Sequence, residues 1–142
     1  MLIQAVDLIK KWEGCKLEAY LDGGGVPTIG YGHTKGVKLG DKITQQQADA
    51  WLDEEVPEYF FGILSVTNVG LNPNQLAALT SLVYNIGLNA YKNSTLLKLL
   101  NEGKILEASN QFERWNKDNG KVVVGLTNRR LDEKRVFNTP VE

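Results

Sequence analysis

Two carboxylates and a hydroxyl crowd one short stretch of this chain, Trp12-Glu13-Gly14 … Ala19-Tyr20-Leu21-Asp22-Gly23-Gly24-Gly25-Val26-Pro27-Thr28. Glu13 ends an apolar-periodic segment, Asp22 opens a glycine-rich turn, and Thr28 follows on the returning arm. Two acidic groups in unlike surroundings beside a cleft are what hydrolysis of a glycosidic bond requires, one to give a proton and one to handle water. The negative end of a helix macrodipole disfavours a second negative charge, which suits a proton donor at Glu13, and Trp12 adds apolar bulk in the same sense. The free N–H groups of a glycine turn suit an ionised Asp22. Strand pairing across the turn would return Thr28 toward Asp22, where the two could hold one water. Taken singly, each residue has an ordinary explanation: a Glu-Gly helix end, an Asp-Gly turn, a strand threonine. Their joint arrangement carries the reading.

The elements that must position these groups are legible in the periodicity. Leu2, Ala5, Val6, Ile9 and Trp12 recur at helical steps, which predicts an amphipathic helix over 3–13 stopped by Gly14. Residues 17–34 read as a small antiparallel hairpin around Gly23-Gly24-Gly25. Thr44-Gln45-Gln46-Gln47 is a capping pattern for a helix with Ala48, Trp51 and Leu52 inward, and Pro57 reads as the first residue of another with Phe60, Ile63 and Leu64 inward. Asn72-Pro73-Asn74-Gln75 opens a helix over 73–86 that is apolar on most sides, as a buried central helix is, and Gly87 closes it. Ser94 caps a short helix ending at Gly103, and Ile105, Ala108, Phe112 and Trp115 mark the next. Asn119-Gly120 is a turn signal, Val122-Val123-Val124 reads as a short strand, and Thr127 reads as the cap of a last helix carrying Arg129, Arg130, Lys134 and Arg135. The fold class is α+β, with a small sheet near the N-terminus and helices nearly everywhere else.

Bulk properties agree with one soluble globular domain over 1–142. Hydrophobic content is 42% and charged content 23%, and the net charge of −1 gives no pull toward nucleic acid. Residues 1–70 carry six Lys/Arg against ten Asp/Glu, and residues 71–142 carry ten against seven. Cys15 is the only cysteine, so it reads as a small apolar packing residue and not as a nucleophile. Met1 to Trp12, with Asp7, Lys10 and Lys11, does not read as a signal peptide, and no apolar run reaches transmembrane length, so synthesis in a bacterial cytoplasm is expected.

The pattern Glu-x8-Asp-x5-Thr, set in Trp12-Glu13-Gly14 … Thr28-Ile29-Gly30-Tyr31-Gly32-His33-Thr34, resembles the phage-type lysozymes, the endolysin family. The resemblance extends through Ala77 to Gly87, through Ser94-Thr95-Leu96-Leu97, through Gln111 to Lys117, and through Gly125-Leu126-Thr127-Asn128-Arg129-Arg130-Leu131-Asp132-Glu133. It implies a lysozyme-like fold: a sheet lobe over about 14–56 and a helical lobe over 71–142 with the first helix 1–13, joined by a helix near 57–70. It implies a muramidase that cuts the β-1,4 bond between N-acetylmuramic acid and N-acetylglucosamine of peptidoglycan, with no metal and no cofactor. In that reading Glu13 is the acid, and Asp22 and Thr28 place the hydrolytic water. By motif, Thr34, Tyr84 or Asn85, Thr95 and Gln111 would contact substrate, and Arg129 or Arg130 would approach Glu13 and Asp22 across the cleft. His33 reads as an orienting or packing residue.

With neither a signal peptide nor a membrane span read in the sequence, a monomer that waits for a holin-type membrane permeabiliser before reaching the wall is expected. Two features depart from the pattern. The pI near 5.9 is low for recruitment to an anionic wall, and no added wall-binding module is read in the sequence, so the cleft itself is expected to supply targeting. The sequence leaves two rival readings. A lytic transglycosylase would use the glutamic acid without water, and a silent wall-binding or tail-structural domain would have no use for all three residues.

Overall fold

The computed structural model describes residues 2–141. Helix α1 (Leu2–Glu13) leads into strands β1 (Lys16–Leu21) and β2 (Pro27–Gly30). A long helix α2 (Gln45–Val66) follows, then the central helix α3 (Pro73–Ile86) and three short ones, α4 (Leu88–Lys92), α5 (Thr95–Asn101) and α6 (Ile105–Ser109). After a 3₁₀ turn (Phe112–Arg114), a second small hairpin, β3 (Lys117–Asp118) and β4 (Lys121–Val122), feeds α7 (Val124–Asn138). The mixed α and β composition with a small antiparallel N-terminal sheet is the one the sequence predicts.

Helix α3 holds the molecule together. Asn72 and Gln75 close a reciprocal capping box at its start, with Pro73 in the first turn where its missing N–H costs nothing. Every residue from Leu76 to Val83 is buried, because α1, α2 and α7 all pack on it. The larger core gathers Leu79, Leu82 and Val83 of α3 with Tyr91, Leu96, Leu100, Phe112 and Phe137. A smaller one joins Ala5 and Ile9 of α1 to Tyr31, Leu52, Val56 and Ala77, with Cys15 half-buried against it.

Three sequence expectations need correction. Pro57 does not open a helix; α2 runs through it without a break. Ala48, Leu52, Val56, Phe60 and Ile63 form one buried stripe on both sides of the proline, and their packing outweighs the roughly 3 kcal/mol that a helix-interior proline costs. The segment marked by Ile105 to Trp115 is not one helix but α6 and a separate 3₁₀ turn. Thr127 does not cap α7, which begins three residues earlier after Val123, so Val124 belongs to the helix and not to a strand. The Thr127 hydroxyl instead accepts from Asn116 Nδ2 at 3.2 Å. The β3–β4 turn itself is as expected, with Asn119 and Gly120 both at positive φ (51° and 77°), the pair a tight hairpin needs.

Candidate active site

Glu13 is the last residue of α1, and Gly14, at φ +66°, turns the chain away into β1. The end of the helix is pinned from α7: Trp12 Nε1 and Lys11 Nζ both donate to Asp132 Oδ2 at 2.8 Å. From the same face of α7, Arg129 Nη1 donates to Glu13 Oε2 at 2.6 Å. The other carboxyl oxygen, Oε1, lies over Gly32, where an added Cβ would come within 3.1 Å of it, and Gly32 also takes a left-handed φ of +82°. A guanidinium has only donors. A proton on Glu13 therefore belongs on Oε1, the oxygen turned away from Arg129.

The β1–β2 hairpin builds the second half of the site. Its register pairs Tyr20 with Thr28 and Leu21 with Pro27. Asp22 closes the turn, donating its N–H to Val26 O at 3.0 Å. Its side chain folds back, and Oδ1 accepts from the N–H groups of Gly24 (2.8 Å) and Val26 (2.9 Å). Among the described residues Oδ2 has no protein partner. Thr28 is buried and donates its hydroxyl to Val26 O at 2.8 Å, which leaves the oxygen's lone pairs to accept. The hydroxyl therefore does not touch Asp22 directly; both groups are organised by the same turn. Tyr20 stands on the strand face shared with Thr28, and burial first, then the charges of Glu13 and Asp22, push its phenol up.

Arg129 and Arg130 part company. Arg129 is 4% exposed and satisfied on every side: Nε donates to Glu133 Oε2 (3.1 Å) and Nη2 to Ser81 O (3.0 Å), while Nη1 reaches Glu13. Arg130 is fully buried and turns away from the cleft pair, donating through Nη1 to Asn85 Oδ1 (2.9 Å) and through Nη2 to Glu133 Oε2 (3.2 Å). Its Nε lies 2.7 Å from Glu133 Oε1, an ion pair whose N–H is angled off the oxygen. Neither arginine hydrogen-bonds Asp22 among the described residues, so the expectation that they balance both acids is met at Glu13 alone.

A cavity of about 390 Å³ opens from Gly32 along His33, Thr34, Trp51, Glu55, Tyr59 and Tyr84. His33 stacks on Trp51, with centroids 4.3 Å apart, and its Nδ1 meets Glu55 Oε1 at 2.5 Å, which is an orienting arrangement. Tyr84 contributes its ring to the wall, but its hydroxyl is spent on Tyr31 O at 2.6 Å, and burial pushes the phenol up further than any neighbouring charge does. A second cavity, of about 470 Å³, is walled by Asn85, Trp115, Lys117, Asp118 and Val123. Asp118 abuts the Asp22 turn, its Oδ2 lying 3.3 Å from where a Cβ on Gly23 would be. Exposed Thr34 and Asn85 thus face cavities. Thr95, exposed at the first position of α5, and Gln111, bonded to Arg114, line neither. Tyr20, Gly32, Ser81 and Glu133 escaped the residue-by-residue reading. Only Glu133 had a signal, as an unexplained acid four positions past Arg129 in a motif otherwise accounted for.

Residues 10–133 match the family described as Phage lysozyme. The endolysin of Acyrthosiphon pisum secondary endosymbiont phage 1 is 44% identical over 136 residues, covering 93% of each chain. The endolysin of Bacillus phage PZA is 42% identical over 140 residues, which are 94% of this chain but 53% of that one, so the chain spans about half the length of that relative. Among solved structures, the muramidase domain of SpmX from Asticaccaulis excentricus superposes with a TM-score of 0.88 at 35% identity, covering 96% of this chain and 95% of that one.

Proposed function

The chain belongs to the phage lysozyme family, and we propose that it is an endolysin that hydrolyses the β-1,4 bond between N-acetylmuramic acid and N-acetylglucosamine of bacterial peptidoglycan. One observation carries this reading: Glu13 offers a single unengaged oxygen beside Gly32, while Asp22 and Thr28 are fixed by one turn with Oδ2 and the hydroxyl lone pairs unspent. Glu13 Oε1 gives its proton to the glycosidic oxygen as the bond to the anomeric carbon breaks. Asp22 Oδ2 and Thr28 Oγ each accept a hydrogen of one water, whose oxygen attacks that carbon from the opposite face while a proton passes to Asp22. Arg129 stands ready to neutralise the Glu13 carboxylate left behind.

Substrate contacts are assigned to Thr34 in the first cavity and to Asn85 in the second, with the Tyr84 ring as an apolar wall. Thr95 and Gln111 keep only their motif match as support. A lytic transglycosylase would need no water-holding pair, and a silent binding domain would need no acid held by a buried arginine, so neither is favoured. Purified peptidoglycan turbidity decides the matter. Glu13→Gln should fold normally and lose lysis by at least about 10²–10⁴-fold, since an amide cannot deliver the proton; substantial residual clearing would place the acid elsewhere.

The enzyme is proposed to act as a monomer on the glycan strand of the wall. Access from the host cytoplasm is proposed to depend on a separate holin-type permeabiliser. In support, α1 is committed to the core and to presenting Glu13. Expression alone should leave cells turbid and chloroform or a holin should clear them abruptly, whereas rapid spontaneous lysis at low expression would contradict this route.

A further inference from the structure

Among the described residues Glu133 is the one acid with no exposure at all, and nothing in the mechanism above uses it. Burying a carboxylate is costly unless several donors satisfy it, and Glu133 meets them from both sides. Ser81 Oγ donates to its Oε2 at 2.5 Å, Arg129 Nε at 3.1 Å and Arg130 Nη2 at 3.2 Å. Burial pushes this carboxyl up, and the two guanidiniums pull it back toward the anion. Only Arg129 continues outward, with Nη1 on Glu13 Oε2. Its planar fork is therefore gripped behind by Glu133 and Ser81 and presents one fixed N–H pair in front.

We propose that Glu133 is a positioning residue for the reaction, clamping Arg129 so that the guanidinium holds Glu13 Oε2 and leaves Oε1 as the sole proton-bearing oxygen. The clamp also sets the charge that Glu13 works against. With Glu133 ionised, the two arginines face two carboxylates when Glu13 is ionised, and one when it is protonated. Removing the Glu133 charge leaves an uncompensated cation next to Glu13 and makes it release its proton too readily. The other titratable groups around Glu13 are phenols that remain neutral at working pH, Tyr20 of β1, Tyr59 of α2 and Tyr84 of α3, and the Asp22, Glu55 and Glu58 carboxylates, which with Glu13 raise those phenols. None of these changes when Glu133 is altered.

This inference rests on Glu13 being the acid, so Glu13→Gln is included as the reference that must be inactive. The test is the pH dependence of kcat and KM for the whole chain on purified peptidoglycan, each variant divided by wild type on the same substrate. Glu133→Gln keeps the shape but loses the charge; its alkaline limb should move down by roughly one pH unit, with kcat at neutral pH reduced about ten-fold and KM unchanged. Glu133→Asp keeps the charge but withdraws it by one methylene; kcat should fall with the limb at the wild-type pH. If Glu133→Gln fails to fold, Glu133→Asp decides alone, since an unchanged kcat would overturn the clamp. A folded Glu133→Gln with an unmoved limb, beside an inactive Glu13→Gln, would overturn the inference while leaving the proposed function standing. An active Glu13→Gln would overturn both.

Discussion

Arg129 and Glu13 lie 116 positions apart in the chain and 2.6 Å apart in space. Their contact ties the last residue of the first helix to the last helix of the fold, so the acid is positioned only when the chain is complete on both sides of α3. The pair is largely dry, with 5% and 18% of the two side chains exposed. A contact so placed does more than a surface ion pair, because little water reaches the Arg129 guanidinium to screen it.

Thr28→Val tests whether the hydroxyl acts on water. Valine keeps the β-branched shape favoured in a strand. The Val26 carbonyl that loses the hydroxyl still accepts from the Asp22 N–H. The variant should therefore melt within a few degrees of wild type and lose about 10²-fold or more in kcat. Near-wild-type turnover would remove Thr28 from the mechanism.

Asp132 ties α7 to the base of α1, and its titration should be visible in acid. Burial pushes its carboxyl up, but donation from Lys11, Arg135 and Trp12 outweighs this and holds it at about 2, below the ordinary 3.8. A carboxyl lowered in the folded state stabilises the fold above its unfolded value and ceases to do so as pH falls from about 4 toward 2, a contribution of about 2 kcal/mol. Asp132→Asn should be less stable than wild type by about that amount at pH 7 in urea unfolding, and the gap should close below pH 3. A gap that stays constant across that range would show that the ion contacts contribute nothing.

The placement of the proposed trio was legible because Glu13, Asp22 and Thr28 are each fixed by local structure: a helix end, a turn and a short hairpin. What is decided by packing across the fold was not. Arg129 and Arg130 are neighbours on one helix and point about 100° apart, so the rotation of α7 on α3 selects which of them meets Glu13. Pro57 carries a strong local signal for a helix start, overruled by a buried stripe that local reading cannot see. Thr127 looks like a cap until Asn116 takes its hydroxyl. Glu133 drew no reading of its own because only the tertiary structure brings two arginines and Ser81 to it. Thr95 and Gln111 rest on motif order, and the cavities favour Thr34 and Asn85 over them.

The first-formed product from a defined glycan tests the central claim most directly. Single displacement by a water held between Asp22 and Thr28 inverts the anomeric carbon, so rapid product analysis should show the α-anomer at the new reducing end before mutarotation. A β-anomer would mean retention through an enzyme-bound intermediate, and an anhydro-muramyl end would mean that no water attacks at all; either result would contradict the roles given to Asp22 and Thr28.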